Sequence, residues 1–535
     1  MAFHGKNFIG AQLSALGPKV FCGFDPRAGT PLETPFYPAT AEEIDRALEL
    51  AAQAFPTLRE QSAETIARFL EAIAAEIEGL GDRLITQATV ESGLGRERLM
   101  GERGRTVNQL RLFAGVVREG SFVNARIDPA LPDRKPLARP DLRRMLIPLG
   151  PVVVFGASNF PLAFSVAGGD TASAFAAKNP VIVKGHPAHP GTSELVAGAI
   201  ARAVERTGLP EGTFSLLNAL DPATSLALVR HPLAQAVAFT GSERAGRAIF
   251  DAAAQRAVPI PAYVEMGSTN PVFVLPGALR ERTDAIVQGL ASSVNLGAGQ
   301  FCTCPGLIFG TEGEPFRAFR DKLGRAFEEA RPATMLHPEI LKGYEQSLAR
   351  VSGVHGIVGK RSRQPADAAK TEGTPVLFET DAATWLANRE LAQEVFGPSA
   401  IVVRGQSPDD LLKIAVALPG TLTASVHGTV EDLEQSRKLL SVLETKAGRL
   451  IFNGYPTGVE VSAAMHHGGP YPATADAKFT SVGTAAILRF VRPVCYQSFP
   501  NEALPPELRD ENPRNIWRAV DGQLTRDPVR RPTGA

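Results

Sequence analysis

The spacing of apolar positions changes twice along the chain. Between Thr40 and Leu80 it is helical: Ile44, Leu48, Ala51, Ala52 and Phe55 form one stripe, and Ile66, Phe69, Leu70, Ile73 and Ile77 a second. Thr40 followed by Glu43 has the form of a capping box, which predicts a helix start there. These read as outer-layer helices with a solvated charged face. Residues 121–150 lose the periodicity and are rich in proline and arginine. They are expected to form a linker or an extended arm reaching a second copy of the chain, with the linker slightly favoured.

Beyond Pro151 the apolar positions become short continuous runs, at 152–155, 181–183, 214–217 and 236–239. They alternate with helical stretches: a small-residue helix to about Lys178, then 193–206 and 225–230. Such alternation marks a parallel sheet covered on both faces, whose ligands sit beyond the C-terminal strand ends. The pattern resumes with strands at 272–275 and 307–309 and helices at 278–296 and 316–329. A further strand is expected near 487–491. The fold class is therefore α/β, with two α/β units.

Composition narrows the function. A chain of 535 residues is too long for one core. Its 56 basic and 56 acidic residues balance, which argues against nucleic acid or an anionic membrane as the main partner. Residues 145–169 carry no charge, but Pro148, Gly150, Pro151, Gly156, Pro161, Gly168 and Gly169 break them into strand, turn and helix rather than a membrane span. Four cysteines, Cys22, Cys302, Cys304 and Cys495, do not make a disulfide framework. Cys302 and Cys304 lack the spacing of a redox pair or zinc knuckle, and no metal ligand is assigned. The first residues lack the apolar core of a secretory signal, so a reducing cytoplasm is expected.

Cys302 lies in Gly299-Gln300-Phe301-Cys302-Thr303-Cys304-Pro305-Gly306, between a long helix and a strand. A thiol on such a loop can serve as a nucleophile, or can simply be a small buried hydrophobe. Asn159 after the first strand fits a turn residue or an amide donor, and Glu265 a solvated strand end or a base. Read singly, these residues decide nothing.

Five short strings in order carry more. They are Asn159-Phe160-Pro161-Leu162, Phe239-Thr240-Gly241-Ser242 with Gly246, Glu265-Met266-Gly267, Gly299-Gln300-Phe301-Cys302, and Glu394-Val395-Phe396-Gly397-Pro398. In this set the chain resembles the aldehyde dehydrogenase superfamily along nearly its full length. The resemblance implies a Rossmann-type cofactor domain (1–264, with the arm at about 121–150), an α/β catalytic domain (265–460) and a C-terminal segment (461–535) returning to the cofactor domain and a small oligomerisation region. It implies a homo-oligomer acting on a small aldehyde with NAD or NADP.

By the same resemblance, Cys302 adds to the aldehyde carbon, and Asn159 and the Cys302 N–H hold the developing oxyanion. Glu265 activates water against the thioester. Lys184 meets the adenosine ribose. Gly241, Ser242 and Gly246 frame a helix N-terminus suited to a pyrophosphate. Glu394 takes the nicotinamide ribose, and Phe396 packs beside the ring, unless it is plain core.

Departures from the family pattern refine this picture. Ser158 stands where many relatives have tryptophan, and Ser268 follows Gly267 in place of a second glycine. Lys184-Gly185-His186-Pro187 replaces the usual Lys-Pro-Ser-Glu, which removes the glutamate that repels a 2′-phosphate; His186 or His189 can lie near such a phosphate, so NADP is favoured over NAD. The strings 466–474, 480–484 and 492–497 resemble a branch containing 2-oxoglutarate semialdehyde (2,5-dioxovalerate) dehydrogenases and an NADP-dependent fatty aldehyde dehydrogenase. That branch implies 2,5-dioxovalerate as substrate, with a long-chain or broad-specificity aldehyde as the alternative and a catalytically dead member of the fold as a remote one. His466 or His467 can approach the catalytic pocket in it. Arg105 and Arg111 are possible partners for a substrate carboxylate but read more simply as surface charges, and Val459, Val461 and Phe160 are candidate pocket walls.

Overall fold

A computed structural model describes residues 3–529; the outermost ends of the 1–264 and 461–535 divisions, residues 1–2 and 530–535, lie outside the described residues. Its first sheet has seven strands, in the order Ala262–Glu265, Ala236–Thr240, Val152–Phe155, Val181–Gly185, Phe214–Asn218, Asn7–Ile9, Gln12–Ser14. The first five are mutually parallel and the last two pair antiparallel. The central strands are apolar on both faces because helices cover both. Phe69, Phe113 and Phe175 fill one side, and Ile44, Leu48 and Ile249 fill the other. Register aligns Phe155 with both Lys184 and Phe239, and Thr240 with Glu265. The predicted cofactor and catalytic residues therefore leave the sheet at one edge, beyond the C-terminal strand ends.

The second seven-stranded sheet runs Val358–Arg361, Val376–Asp381, Ser399–Gly405, Leu307–Thr311, Val272–Val274, Thr421–His427, Ala447–Phe452. All its pairings are parallel except that of the first strand. Residues 266–271 link Glu265, at the C-terminal end of a strand in the first sheet, to Val272, at the N-terminal end of one in the second. The loops carrying Cys302 and Glu394 likewise lead into N-terminal strand ends, at Leu307 and Ser399. The site is thus built where strands of one sheet finish and strands of the other begin.

Two expectations are corrected. Residues 121–150 are not a linker: Arg126–Asp128 and Leu142–Pro148 belong to a five-stranded sheet with Val491–Gln497, Arg518–Val520 and Gln523–Thr525. Their arginines made the strands look solvated, yet Arg143 is buried and anchored on Asp141, Asp510 and the Leu508 carbonyl. The strand expected near 487–491 is a 3-10 turn, Thr484–Phe490, with the strand beginning only at Val491. Here burial against the Gly169–Ala176 helix, rather than strand pairing, explains the apolar run. The capping box at Thr40 is present, and the helical stretch breaks at Ser62 into Ala41–Arg59 and Ala63–Gly79. No helix among the described residues is long and apolar enough to cross a membrane.

Candidate active site

The Cys302 loop begins with three consecutive residues in the left-handed region, Gly297, Ala298 and Gly299, at φ of 57°, 55° and 67°. This tight reversal ends the Pro276–Asn295 helix and turns the chain toward the cleft. A side chain on Gly299 would collide with the backbone of Gly397, so the nucleophile string and the Glu394–Pro398 string meet back to back. Gly267 likewise has no room for a side chain: a Cβ there would lie 2.6 Å from the Glu394 carboxylate. Three of the five strings are therefore held together by contacts that only glycine allows.

The buried Asn270 locks the loop. Its amide donates to the carbonyls of Cys302 and Cys304, both at 2.9 Å, and of Ser268 at 3.2 Å. Its own oxygen accepts from Ser268 and Thr423 hydroxyls. Asn159 donates to the Gln300 carbonyl at 3.0 Å, on the other side of the same loop. The Cys302 backbone N–H has no acceptor among the described residues. Cys304 is the inert thiol, buried and directed at the Val294 carbonyl, whereas Cys302 is only part-buried.

At Cys302 three groups converge. Its Sγ lies 3.6 Å from His467 Nε2, which lies 3.1 Å from Glu265 Oε1, while Ser481 donates to Glu265 Oε2 at 2.7 Å. Sulfur, imidazole and carboxylate ligand atoms all fall within 4.8 Å of one another. Burial alone would raise the Glu265 carboxyl, but attraction to His467 and the His467 and Ser481 hydrogen bonds hold it below the ordinary carboxylate value. Burial, then repulsion from Glu265 and Glu394, pushes the Cys302 thiol well above its usual range. The free site thus rests as a neutral thiol beside a carboxylate.

The loop carrying Asn159 is fixed from the Arg96–Glu119 helix. Glu102 accepts from the Leu162 and Ala163 amides at 2.8 and 3.0 Å, and Arg98 donates to the Asn159 carbonyl at 2.8 Å. Arg98 also lies over the Phe301 and Phe160 rings. Arg105 completes this face one turn on. Arg111 is an exposed partner of Glu78, as read from sequence, but Arg105 is not a surface charge: it is coupled electrostatically to Cys302 and Glu265. Sequence reading missed Asn270, Arg98 and Glu102; the 98/102/105 spacing on one helical face was the available signal for the last two.

On the cofactor side, Lys184 projects from the end of its strand, and burial lowers its ammonium to about 8. Burial raises the Glu394 carboxyl to about 7. Phe396 is part-buried and lines the same small cavity as Glu394, Ser268 and Gly299. The turn before the Glu243–Ala254 helix is exposed, with Ser242 as its cap, accepting from Ala245 N at 3.4 Å. Gly241 and Gly246 do not offer free amides there. The Gly241 N–H is bonded to the Glu265 carbonyl and that of Gly246 to Ser242, and Gly246 is needed because a Cβ would sit 2.5 Å from Met266. His189 is taken up by the Ala157 carbonyl and Ser193, whereas His186 is part-buried, stacks on His189 and accepts the Ala188 N–H at Nδ1, leaving its Nε2 without a hydrogen bond among the described residues.

A model of the aldehyde dehydrogenase family matches residues 24–471. The chain belongs to the aldehyde dehydrogenase family. Over 98% of its length it is 49% identical to alpha-ketoglutaric semialdehyde dehydrogenase 2 of Azospirillum brasilense, which it covers completely (100%). It is 45% identical, again over 98% of the chain and 99% of the relative, to alpha-ketoglutaric semialdehyde dehydrogenase of Acinetobacter baylyi. Its fold matches that of 1-pyrroline-5-carboxylate dehydrogenase from Thermus with bound NAD at a TM-score of 0.77, with 21% identity over 92% of each chain.

Proposed function

We propose that this aldehyde dehydrogenase oxidises 2-oxoglutarate semialdehyde (2,5-dioxovalerate) to 2-oxoglutarate, with Cys302 as nucleophile. The observation that carries the chemistry is the convergence of Cys302, His467 and Glu265. The two near-full-length relatives of that printed activity support the substrate. As Sγ bonds to the aldehyde carbon, the thiol proton passes to Glu265, directly or through His467. Asn159 and the Cys302 N–H stabilise the oxyanion of the thiohemiacetal. A nicotinamide held by the residues named below would supply the hydride acceptor. The resulting thioester is hydrolysed by water that gives a proton to Glu265, which Ser481 and His467 hold in a fixed orientation.

For the cofactor, Lys184 and Glu394 are the candidate ribose partners, Phe396 the neighbour of the ring, and the exposed amides after Ser242 the pyrophosphate site. Pro187 and the part-buried His186 favour NADP, with NAD also accepted. We further propose a homo-oligomer joined through the exposed edge strands Val491–Gln497 and Ala447–Phe452.

Initial rates with 2,5-dioxovalerate, pentanal and longer aldehydes, run with NAD and NADP in parallel, test the substrate and cofactor together. Cys302→Ala is expected to abolish cofactor reduction while retaining cofactor binding by fluorescence. Full activity in that variant would overturn the mechanism.

A further inference from the structure

Two ring contacts lead from the nucleophile to a cation that the chemistry above does not use. The His467 ring, beside Cys302, lies 6.4 Å from the Phe164 ring, and the Arg105 guanidinium sits 5.1 Å from that same ring and 5.9 Å from Phe160. Phe160 and Phe164 meet edge to face at 5.4 Å and form an apolar wall between Asn159 and Arg105. Arg105 makes no hydrogen bond or ion pair among the described residues, and its Nε and Nη2 are shut from water without a partner. An unsatisfied buried guanidinium is costly, and a planar carboxylate is the ligand that would satisfy it with two parallel hydrogen bonds.

The surrounding charges leave room for such an anion. Arg98 spends Nη2 on the Asn159 carbonyl and lies over the aromatic rings, with its Nη1 unpartnered among the described residues, and the Glu102 oxygen that has partners serves two backbone amides. Of the acids coupled to Arg105, Glu102 and Glu265 are buried and engaged by backbone amides or by His467 and Ser481, and Glu460 is exposed. Arg449 also feels Cys302, but its Nη atoms are taken by the carbonyls of Pro456 and Gly458. In an extended five-carbon aldehyde acid, four carbon–carbon bonds place the carboxylate about 5 Å from the aldehyde carbon, a reach suited to a site one aromatic layer deep.

We propose that Arg105 binds the distal carboxylate of the substrate and so selects aldehyde acids over neutral aldehydes. This rests on the 2,5-dioxovalerate reading and names the residue that would enforce it. The test compares kcat and KM of the full-length wild type, Arg105→Met, Arg105→Lys and the surface control Arg111→Met with 2,5-dioxovalerate and with pentanal. Glutarate serves as a competitive probe.

Arg105→Met is expected to lower kcat/KM for 2,5-dioxovalerate at least 100-fold, chiefly through KM, and for pentanal no more than about threefold, while weakening glutarate inhibition at least 10-fold. Arg105→Lys should recover about a tenth of the wild-type value, and Arg111→Met should match wild type. Equal losses on both aldehydes, or unchanged glutarate inhibition, would overturn the assignment. A wild type that prefers pentanal would instead overturn the substrate reading, with glutarate inhibition still deciding whether Arg105 binds a carboxylate.

Discussion

The loop that carries Cys302 and the turn proposed to meet the dinucleotide are built on opposite plans. Around Cys302 the protein has already made its contacts. Asn270 holds the carbonyls on and after the cysteine, Asn159 holds the one before, and Gly299 is pressed onto Gly397. At the Glu243–Ala254 helix the turn is solvent-facing, and a single long hydrogen bond from the Ala245 N–H to Ser242 is its only side-chain cap among the described residues. One site is over-determined before any ligand arrives, while the other is left for a ligand to complete. Bond-making chemistry tolerates little misplacement of the reacting atoms, whereas an anion is drawn to exposed amides over a wider range of positions.

The sharpest way to break this comparison is Glu265→Gln. Steady-state turnover should fall about 10²–10⁴-fold, the range for loss of a general base. Removing the negative neighbour also lowers the thiol pKa, so alkylation of Cys302 by iodoacetamide at pH 8 should become faster in the variant. A slower alkylation would show that Glu265 activates the thiol more than it repels the thiolate.

Asn270→Ala comes next. It strips the donors from three carbonyls of the catalytic loops, and each buried group left unsatisfied costs about 1–3 kcal/mol. The expected outcome is a destabilisation of about 3 kcal/mol in urea unfolding together with at least a 10-fold loss of kcat. Retained kcat in a destabilised variant would mean that the loop keeps its shape without the clamp.

The third prediction concerns pH. Burial raises the Glu394 carboxyl to about 7, so in the cofactor-free enzyme its contribution to stability is fully present below the unfolded value and is lost as pH rises through 7. Ribose hydroxyls donate to the ionised form, so the cofactor KM should fall severalfold between pH 6 and 8. Glu394→Gln should flatten that profile; an unchanged slope would move the titrating group elsewhere.

The smallest effect is expected at the exposed turn. Ser242→Ala should cost about 1 kcal/mol of helix capping and raise the cofactor KM about twofold with kcat unchanged. A loss as large as that of Asn270→Ala would show that the turn is as tightly built as the nucleophile loop, and the contrast between the two regions would be false.

Much of this was legible before the structure. The apolar runs at 152–155, 181–183, 214–217 and 236–239 fell on strands, because buried parallel strands leave a continuous apolar signal that neighbours cannot disguise. The 126–148 strands were missed because Arg143 and its neighbours look like solvated charge until Asp141 and Asp510 are brought beside them. Gly241 and Gly246 were legible as framing the turn, but their packing was not. A Cβ on either would collide, with Phe239 at Gly241 and with Met266 at Gly246.

What the sequence determined alone was the order of the buried parallel strands with their helices and the five short strings, since periodicity and glycine-bearing turns are local properties of a chain. What only the tertiary structure decided was proximity. His467 is 202 residues from Glu265 yet shares its proton network, and Arg105 changes from a surface charge to an unpartnered cation near the cleft. The energy of a charge or hydrogen bond depends on distance and on the exclusion of water, and neither is defined until the chain has folded back on itself.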